Sequence, residues 1–319
     1  MLSRRRVVGG VIAAGLLLHD RPSLASAPQP SDSVDFSIPA GACDCHTHVI
    51  GDPATYPLLP TRVYTPAPAL PSELARLHQA LGIQRVVIVT PSAYGTDNSA
   101  TLWGVSTRGA NARGIVVIDG NTPDAQLDTM HRAGIRGARL YLADAGVKPE
   151  SARRQFAHLS ARLAKRNWHI QIFTTPEMVV ALKDLILKSP VPVVFDHFGG
   201  ARGELGVTQP GFVELLRLMR SGKVYVKISA AYRFSSQPPS YGDMAPLARS
   251  LVDVRADRVL WGTDWPHTNG AVAGQSAATV SSFIKVDDAY LLNLFGTWVP
   301  ERKIRNQILV DNPRQFYDF

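Results

Sequence analysis

Arg85-Val86-Val87-Ile88-Val89-Thr90 is a short β-branched run, followed by turn residues and then by a helical pattern over Asn98–Arg108. Side chains branched at Cβ fit a pleated sheet, and an apolar run of this length without polar alternation reads as a strand buried on both faces. The same unit recurs along the chain. Arg113–Ile118, Gly137–Leu142, His169–Thr174, Val191–His197, Val224–Ser229 and Arg258–Gly262 read as strands. Pro123–Ala133, Glu150–Arg166, Pro176–Lys188, Gly211–Arg220 and Met244–Asp253 read as the helices between them. An earlier strand over Asp44–His48 and a helix over Glu73–Leu81 bring the strand count to eight. Strict alternation of strand and helix implies parallel pairing. Eight such units predict a (β/α)8 TIM barrel, an α/β fold, as a single domain over residues 41–319. An open doubly wound sheet would favour Gly-x-Gly-x-x-Gly after the first strand, and none stands there.

The chain ahead of the barrel reads differently. Ser3-Arg4-Arg5-Arg6 precedes Val7–Leu18, an apolar run of 12 residues, and a small-residue stretch at Leu24-Ala25-Ser26-Ala27. That order is a basic, an apolar and a cleavage region, so residues 1–25 are expected to be a twin-arginine-type signal peptide and residues 26–40 a linker. The run falls short of the ~20 apolar residues that span a bilayer. The expectation is export to the periplasm, without stable membrane insertion after cleavage.

The formal charge of +8 includes Arg4, Arg5, Arg6, Arg21 and Asp20, so cleavage would leave an excess of five positive charges. No Lys/Arg run interleaved with aromatic residues suggests nucleic acid. A mild positive excess suits a small anionic substrate. The two cysteines, Cys43 and Cys45, lie two apart on the first strand. Their Cα atoms would be about 6.6–6.8 Å apart, at the limit for a disulfide, so they are expected to be reduced thiols on the face away from the histidines.

In a barrel of this kind the reacting groups sit where strands run into the following loops. The first strand ends Asp44-Cys45-His46-Thr47-His48, where i and i+2 alternation would put Asp44, His46 and His48 on one face. A lone His-x-His is weak, but other strand ends converge on it. The second runs into Ser92 and Tyr94, the fourth offers Arg139 and Tyr141, and the fifth offers Gln171, which alternation points inward. The sixth ends Phe195-Asp196-His197, the seventh Lys227-Ile228-Ser229 before Tyr232-Arg233, and the eighth Thr263-Asp264-Trp265-Pro266-His267. Lys227 inside the barrel requires a partner, and Asp44 is the expected one. Arg139 and Arg233 at the mouth suit carboxylate recognition by guanidinium forks, with Ser92 and Tyr94 adding hydroxyls; a salt bridge to a loop Asp is the structural alternative for each arginine.

The segments Asp44–His48, Phe195–Gly199 and Val259–His267, with Val310-Asp311-Asn312-Pro313 at the end, resemble the amidohydrolase superfamily. Within it the chain most resembles the 2-pyrone-4,6-dicarboxylate lactonase group, on Tyr64-Thr65-Pro66, Gly95-Thr96-Asp97-Asn98 and Gly134–Arg139. The resemblance implies a hydrolase that opens a cyclic ester, with Asp264 as general base and His46, His48 and His197 around the substrate carbonyl. It implies no cofactor; one Zn on His46, His48, His197 and Asp264 is the alternative. The fourth strand carries no lysine to be carboxylated and Gln171 stands on the fifth, which argues against a two-metal site. The competing activity is metal-dependent decarboxylation of an aromatic or enoic acid. A binding-only barrel ranks below both, because all four central residues are present.

Overall fold

A computed structural model describes residues 26–144 and 146–319; the expected signal peptide lies outside these residues. Eight strands form one all-parallel sheet in chain order: Cys43–Thr47, Arg85–Val89, Ala112–Val116, Ile135–Tyr141, His169–Phe173, Val193–Phe195, Val224–Ile228 and Val259–Trp261. The sheet curls until its edges meet. Thr47 bridges Trp265, the His48 amide donates to the Trp265 carbonyl at 2.8 Å, and the Asp264 amide donates to the His46 carbonyl at 2.9 Å. A helix follows every strand: Pro71–Leu81, Ser99–Arg108, Asp124–Arg132, Pro149–Leu163, Pro176–Lys188, Pro210–Arg220, Ala245–Arg255 and Asp288–Trp298. This is the (β/α)8 barrel that the alternation predicts, with element ends shifted by a few residues, as fraying termini usually are.

Alternation along the strands sorts two cores. Val86 and Ile88 pack outward with Leu74 and Leu77 of the first helix, in the large layer between sheet and helices. Val87 and Val89 point inward with Cys43, Cys45, Ile115, Val194 and Leu260. Tyr317, fully buried, closes the end of the barrel where the strands begin, its ring 5.5 Å from that of His169. The opposite end is left for the polar residues.

The first strand departs from simple alternation. Its pairing register shifts between Asp44 and Thr47, the mark of a β-bulge, which re-aims the side chains beyond it. Cys43 and Cys45 therefore line the barrel interior, below the histidines, rather than facing away from them. They remain free and buried, and burial raises the Cys43 thiol pKa. Asp44 faces the helix layer, where its carboxylate accepts from the Thr263 amide at 3.0 Å and the Thr263 hydroxyl at 2.6 Å, with His78 Nε2 at 3.3 Å. Asp44 is thus not the partner of Lys227, and its role is to tie the first strand to the eighth.

Residues 26–40 pack against the barrel. Ala27 is buried, its amide donates to Glu73 Oε1 at 3.1 Å, and the Trp265 indole donates to the Pro28 carbonyl at 2.8 Å. No helix among the described residues is long and apolar enough to cross a membrane.

Candidate active site

Three imidazoles and one carboxylate meet at the open end of the barrel. Asp264 Oδ1 lies 3.5 Å from His46 Nε2, 3.5 Å from His48 Nε2 and 3.6 Å from His197 Nε2. The backbone is bent to bring them together: His197 (φ 49°) and Asp264 (φ 67°) both adopt left-handed conformations. Such positions cost roughly 1–3 kcal/mol each and persist only where the surroundings enforce them.

The far nitrogen of each ring decides what the near one offers. His48 Nδ1 donates to the Val89 carbonyl at 2.7 Å, so in the neutral ring Nε2 is an acceptor. His197 Nδ1 pairs with the Ser229 hydroxyl at 2.8 Å. His46 Nδ1 lies 3.2 Å from Lys227 Nζ and 3.1 Å from Asp196 Oδ1, while its buried Nε2 has no hydrogen-bond partner among the described residues. Burial lowers the His46 pKa well below its ordinary value and takes that of His197 to about 4, so both rings are neutral at pH 7.

Asp196 is the counter-charge beneath them. Arg139 donates to its Oδ2 from Nε and from a terminal nitrogen, both at 2.9 Å, and Lys227 Nζ stands 3.4 Å from Oδ1. Lys227 also donates to Gln171 Oε1 at 2.7 Å. The partners of the inward lysine are therefore Asp196, just past the sixth strand, and Gln171 on the fifth. Burial alone would raise the Asp196 carboxyl, but Arg139, His46 and Lys227 outweigh it and hold the pKa well below the usual range. Asp264 follows the same pattern. Burial is opposed first by Arg233, whose Nε donates to Oδ2 at 2.8 Å, and then by His197, and the pKa ends well below the usual range.

Above this floor opens a cavity of about 200 Å³ with His48, His197, Asp264, Arg139, Arg233 and Ser92 in its wall. Both arginines are salt-bridged to site carboxylates and still reach the cavity. Tyr94 does not: it is buried, its hydroxyl accepts from the Gly51 amide at 3.0 Å, and burial pushes its pKa up to about 12. The wall also holds Tyr64, Tyr141, Phe173 and Thr268. Tyr141, expected at the end of the fourth strand, accepts from Arg139 at 2.8 Å, and Tyr64 enters the wall from the loop after the first strand, where no periodicity aims a side chain.

His46, His48 and Asp264 also suit a metal ion, since one donor atom of each falls within 4.8 Å of the others. The unpartnered His46 Nε2 fits such a ligand set, provided its proton sits on Nδ1.

Residues 43–319 match the family described as Amidohydrolase. A 4-sulfomuconolactone hydrolase from Hydrogenophaga intermedia is 35% identical over 286 residues, covering 88% of this chain and 90% of that protein. A 2-pyrone-4,6-dicarboxylate hydrolase from Comamonas testosteroni is 34% identical over 295 residues, covering 88% and 92%. An apo crystal structure from Agrobacterium tumefaciens superposes with a TM-score of 0.74 at 28% identity, covering 90% of this chain and 99% of that one.

Proposed function

The chain belongs to the amidohydrolase family, and we propose that it is a lactonase, hydrolysing the cyclic ester of a small carboxylate- or sulfonate-bearing molecule. The observation that carries this reading is the charge of the site. Arg139, Lys227 and Arg233 against Asp196 and Asp264 leave one positive charge in excess while the rings are neutral, in a cavity of about 200 Å³. A buried excess charge favours an anionic ligand of single-ring size. The arginines retain N–H donors for it: Arg139 spends three on Asp196 and Tyr141, and Arg233 two on Asp264 and the Thr268 carbonyl, of the five each carries.

The chemistry then divides among the residues. Asp264 Oδ1 takes the proton of the attacking water, with His48 Nε2 orienting that water as an acceptor. His46 and His197 face the carbonyl oxygen; with Lys227 donating to Nδ1, His46 presents Nε2–H to the developing oxyanion. The low basicity of Asp264 rises when the substrate anion draws on Arg233. We favour this form without a metal. A single Zn held by His46, His48 and Asp264, with His197 alongside, would polarise the carbonyl and make bound water more acidic.

The test is a panel of 2-pyrone-4,6-dicarboxylate, 4-sulfomuconolactone and aromatic acids, with products read by mass spectrometry. Gain of water on a lactone supports the proposal; loss of carbon dioxide from an acid supports the decarboxylase. Asp264→Asn keeps the shape and should lower kcat by roughly 10²–10⁴-fold. Wild-type turnover in that variant would remove the base assignment. We also propose that residues 1–25 direct export to the periplasm, which cell fractionation with and without Arg4 and Arg5 would check.

A further inference from the structure

The two oxygens of Asp264 have different surroundings. Oδ1 faces the three imidazoles. Oδ2 accepts from the Tyr232 hydroxyl at 2.6 Å and from Arg233 Nε at 2.8 Å. Behind Tyr232 the contacts continue inward. Its hydroxyl oxygen is 3.2 Å from His267 Nδ1, and His267 Nε2 is 3.1 Å from both oxygens of Asp288. His267 and Asp288 are fully buried.

Counting hydrogens fixes the direction of this row. Tyr232 has one proton, and the shorter contact gives it to Asp264. The hydroxyl oxygen can then only accept, so His267 Nδ1 carries a hydrogen. One further proton lies between His267 Nε2 and Asp288. Burial raises the Asp288 pKa, so that proton is accommodated on either partner. Both placements leave the same sense: His267 donates to Tyr232, and Tyr232 donates to Asp264.

We propose that Tyr232, His267 and Asp288 form a positioning relay that anchors Oδ2 of Asp264 and thereby aims Oδ1 at the reacting water. None of the three touches the reacting atoms. The backbone has the same logic: Asp264 (φ 67°) and His267 (φ 62°) are both left-handed, and the His267 amide donates to the Asp264 carbonyl at 2.9 Å. The relay thus holds both ends of a strained turn. Arg233 also grips Oδ2, but it lies in the cavity wall, where an anionic substrate competes for it. Tyr232 stands outside that competition, so the base stays aimed when substrate arrives.

This inference rests on Asp264 being the base. The experiment measures kcat and KM on 2-pyrone-4,6-dicarboxylate and 4-sulfomuconolactone for Tyr232→Phe, His267→Gln and the double variant. Tyr232→Phe should lower kcat by about tenfold to hundredfold, the scale of a misplaced catalytic group, with KM within about twofold. The double variant should be no worse than Tyr232→Phe alone, because His267 acts only through that hydroxyl. If His267→Gln does not fold, Asp288→Asn takes its place in the cycle. Wild-type kcat in Tyr232→Phe, or a change confined to KM, overturns the proposal, and fully additive losses overturn the part played by His267 and Asp288. Full activity in Asp264→Asn would remove the base assignment itself. An inactive Asp264→Asn beside a normal Tyr232→Phe would remove the relay alone.

Discussion

Arg233 Nε donates to Asp264 Oδ2 at 2.8 Å, so a residue expected to hold substrate also holds the proposed base. Of the two readings given for this arginine, the structure shows the salt bridge, and it leaves the guanidinium in the cavity wall. Its side chain is 23% exposed and reaches the cavity, so it is placed to exchange partners.

The first prediction follows from that double duty. Arg233→Met should lower kcat/KM on a carboxylate lactone by one to two decades, since each charge-assisted contact is worth roughly 1.5–3 kcal/mol. On the neutral methyl ester the loss should be much smaller, because only the grip on Asp264 is missing. Steady-state assays on the acid and the ester give the ratio. An unchanged ratio would make Arg233 purely structural.

Arg139 should behave differently. It is 5% exposed and bonded twice to a fully buried Asp196. Arg139→Met leaves that carboxylate with Lys227 and His46 alone. Breaking a buried pair by removing one partner costs about 3–5 kcal/mol, so urea unfolding should show a destabilisation of that order. Loss of activity without loss of stability would assign Arg139 to substrate alone.

The contrast shows what a linear reading can reach. The barrel was legible because eight short apolar strands alternate with helical patterns, and sequence order equals spatial order in the sheet. His46, His48, His197 and Asp264 were legible because each ends a strand and barrel geometry collects strand ends. The alternation that placed Lys227 and Gln171 inside was sound, but naming the lysine's partner required knowing which inward side chains reach the level of its ammonium, and those are Gln171 and Asp196 rather than Asp44. Asp44 was misjudged because an i, i+2 count assumes a straight strand, and a bulge is set by packing against neighbours. Tyr94 went astray for a related reason: a loop hydroxyl has no period to say which way it points. Tyr232, His267 and Asp288 come from three different segments and share no motif.

Acid stability provides a third prediction. Burial holds the folded-state pKa of His197 at about 4 and of His169 at about 3, below the ordinary ~6.5 of the unfolded chain. Below pH ~6.5 the unfolded chain takes up protons that the folded rings refuse, so stability falls as pH drops toward those folded values. Each ring adds about 1.4 kcal/mol per pH unit to that slope. Asp196 and Asp264 act lower: their depressed pKa values give stability that is fully present above ~3.9 and lost as pH falls through the folded values. His169 lies at the closed end against Tyr317, away from the reaction. His169→Leu should therefore flatten the dependence between pH 6.5 and 4 by about one ring's share while kcat is unaffected. Urea midpoints across that range supply the check, and an unchanged slope would contradict the neutral-ring assignment.

The last prediction concerns the proton on His46. Lys227 Nζ is 3.2 Å from Nδ1, and an ammonium only donates, so this contact places the ring hydrogen on Nε2. A ring with Nε2–H serves an oxyanion but cannot bind a metal through that nitrogen. The other tautomer donates from Nδ1 to Asp196 Oδ1, 3.1 Å away, and turns the Nε2 lone pair toward His48 and Asp264, where it completes a three-donor site. Lys227 therefore biases the site against metal. Protein purified without chelator should hold well under one equivalent of Zn and keep its activity when chelator is added. Lys227→Met should shift the balance and bind Zn more tightly, measured by calorimetry on chelator-stripped samples of both proteins. One equivalent of Zn in the wild type, with activity lost on chelation and restored by metal, would reverse the assignment and make His46 Nε2 a ligand.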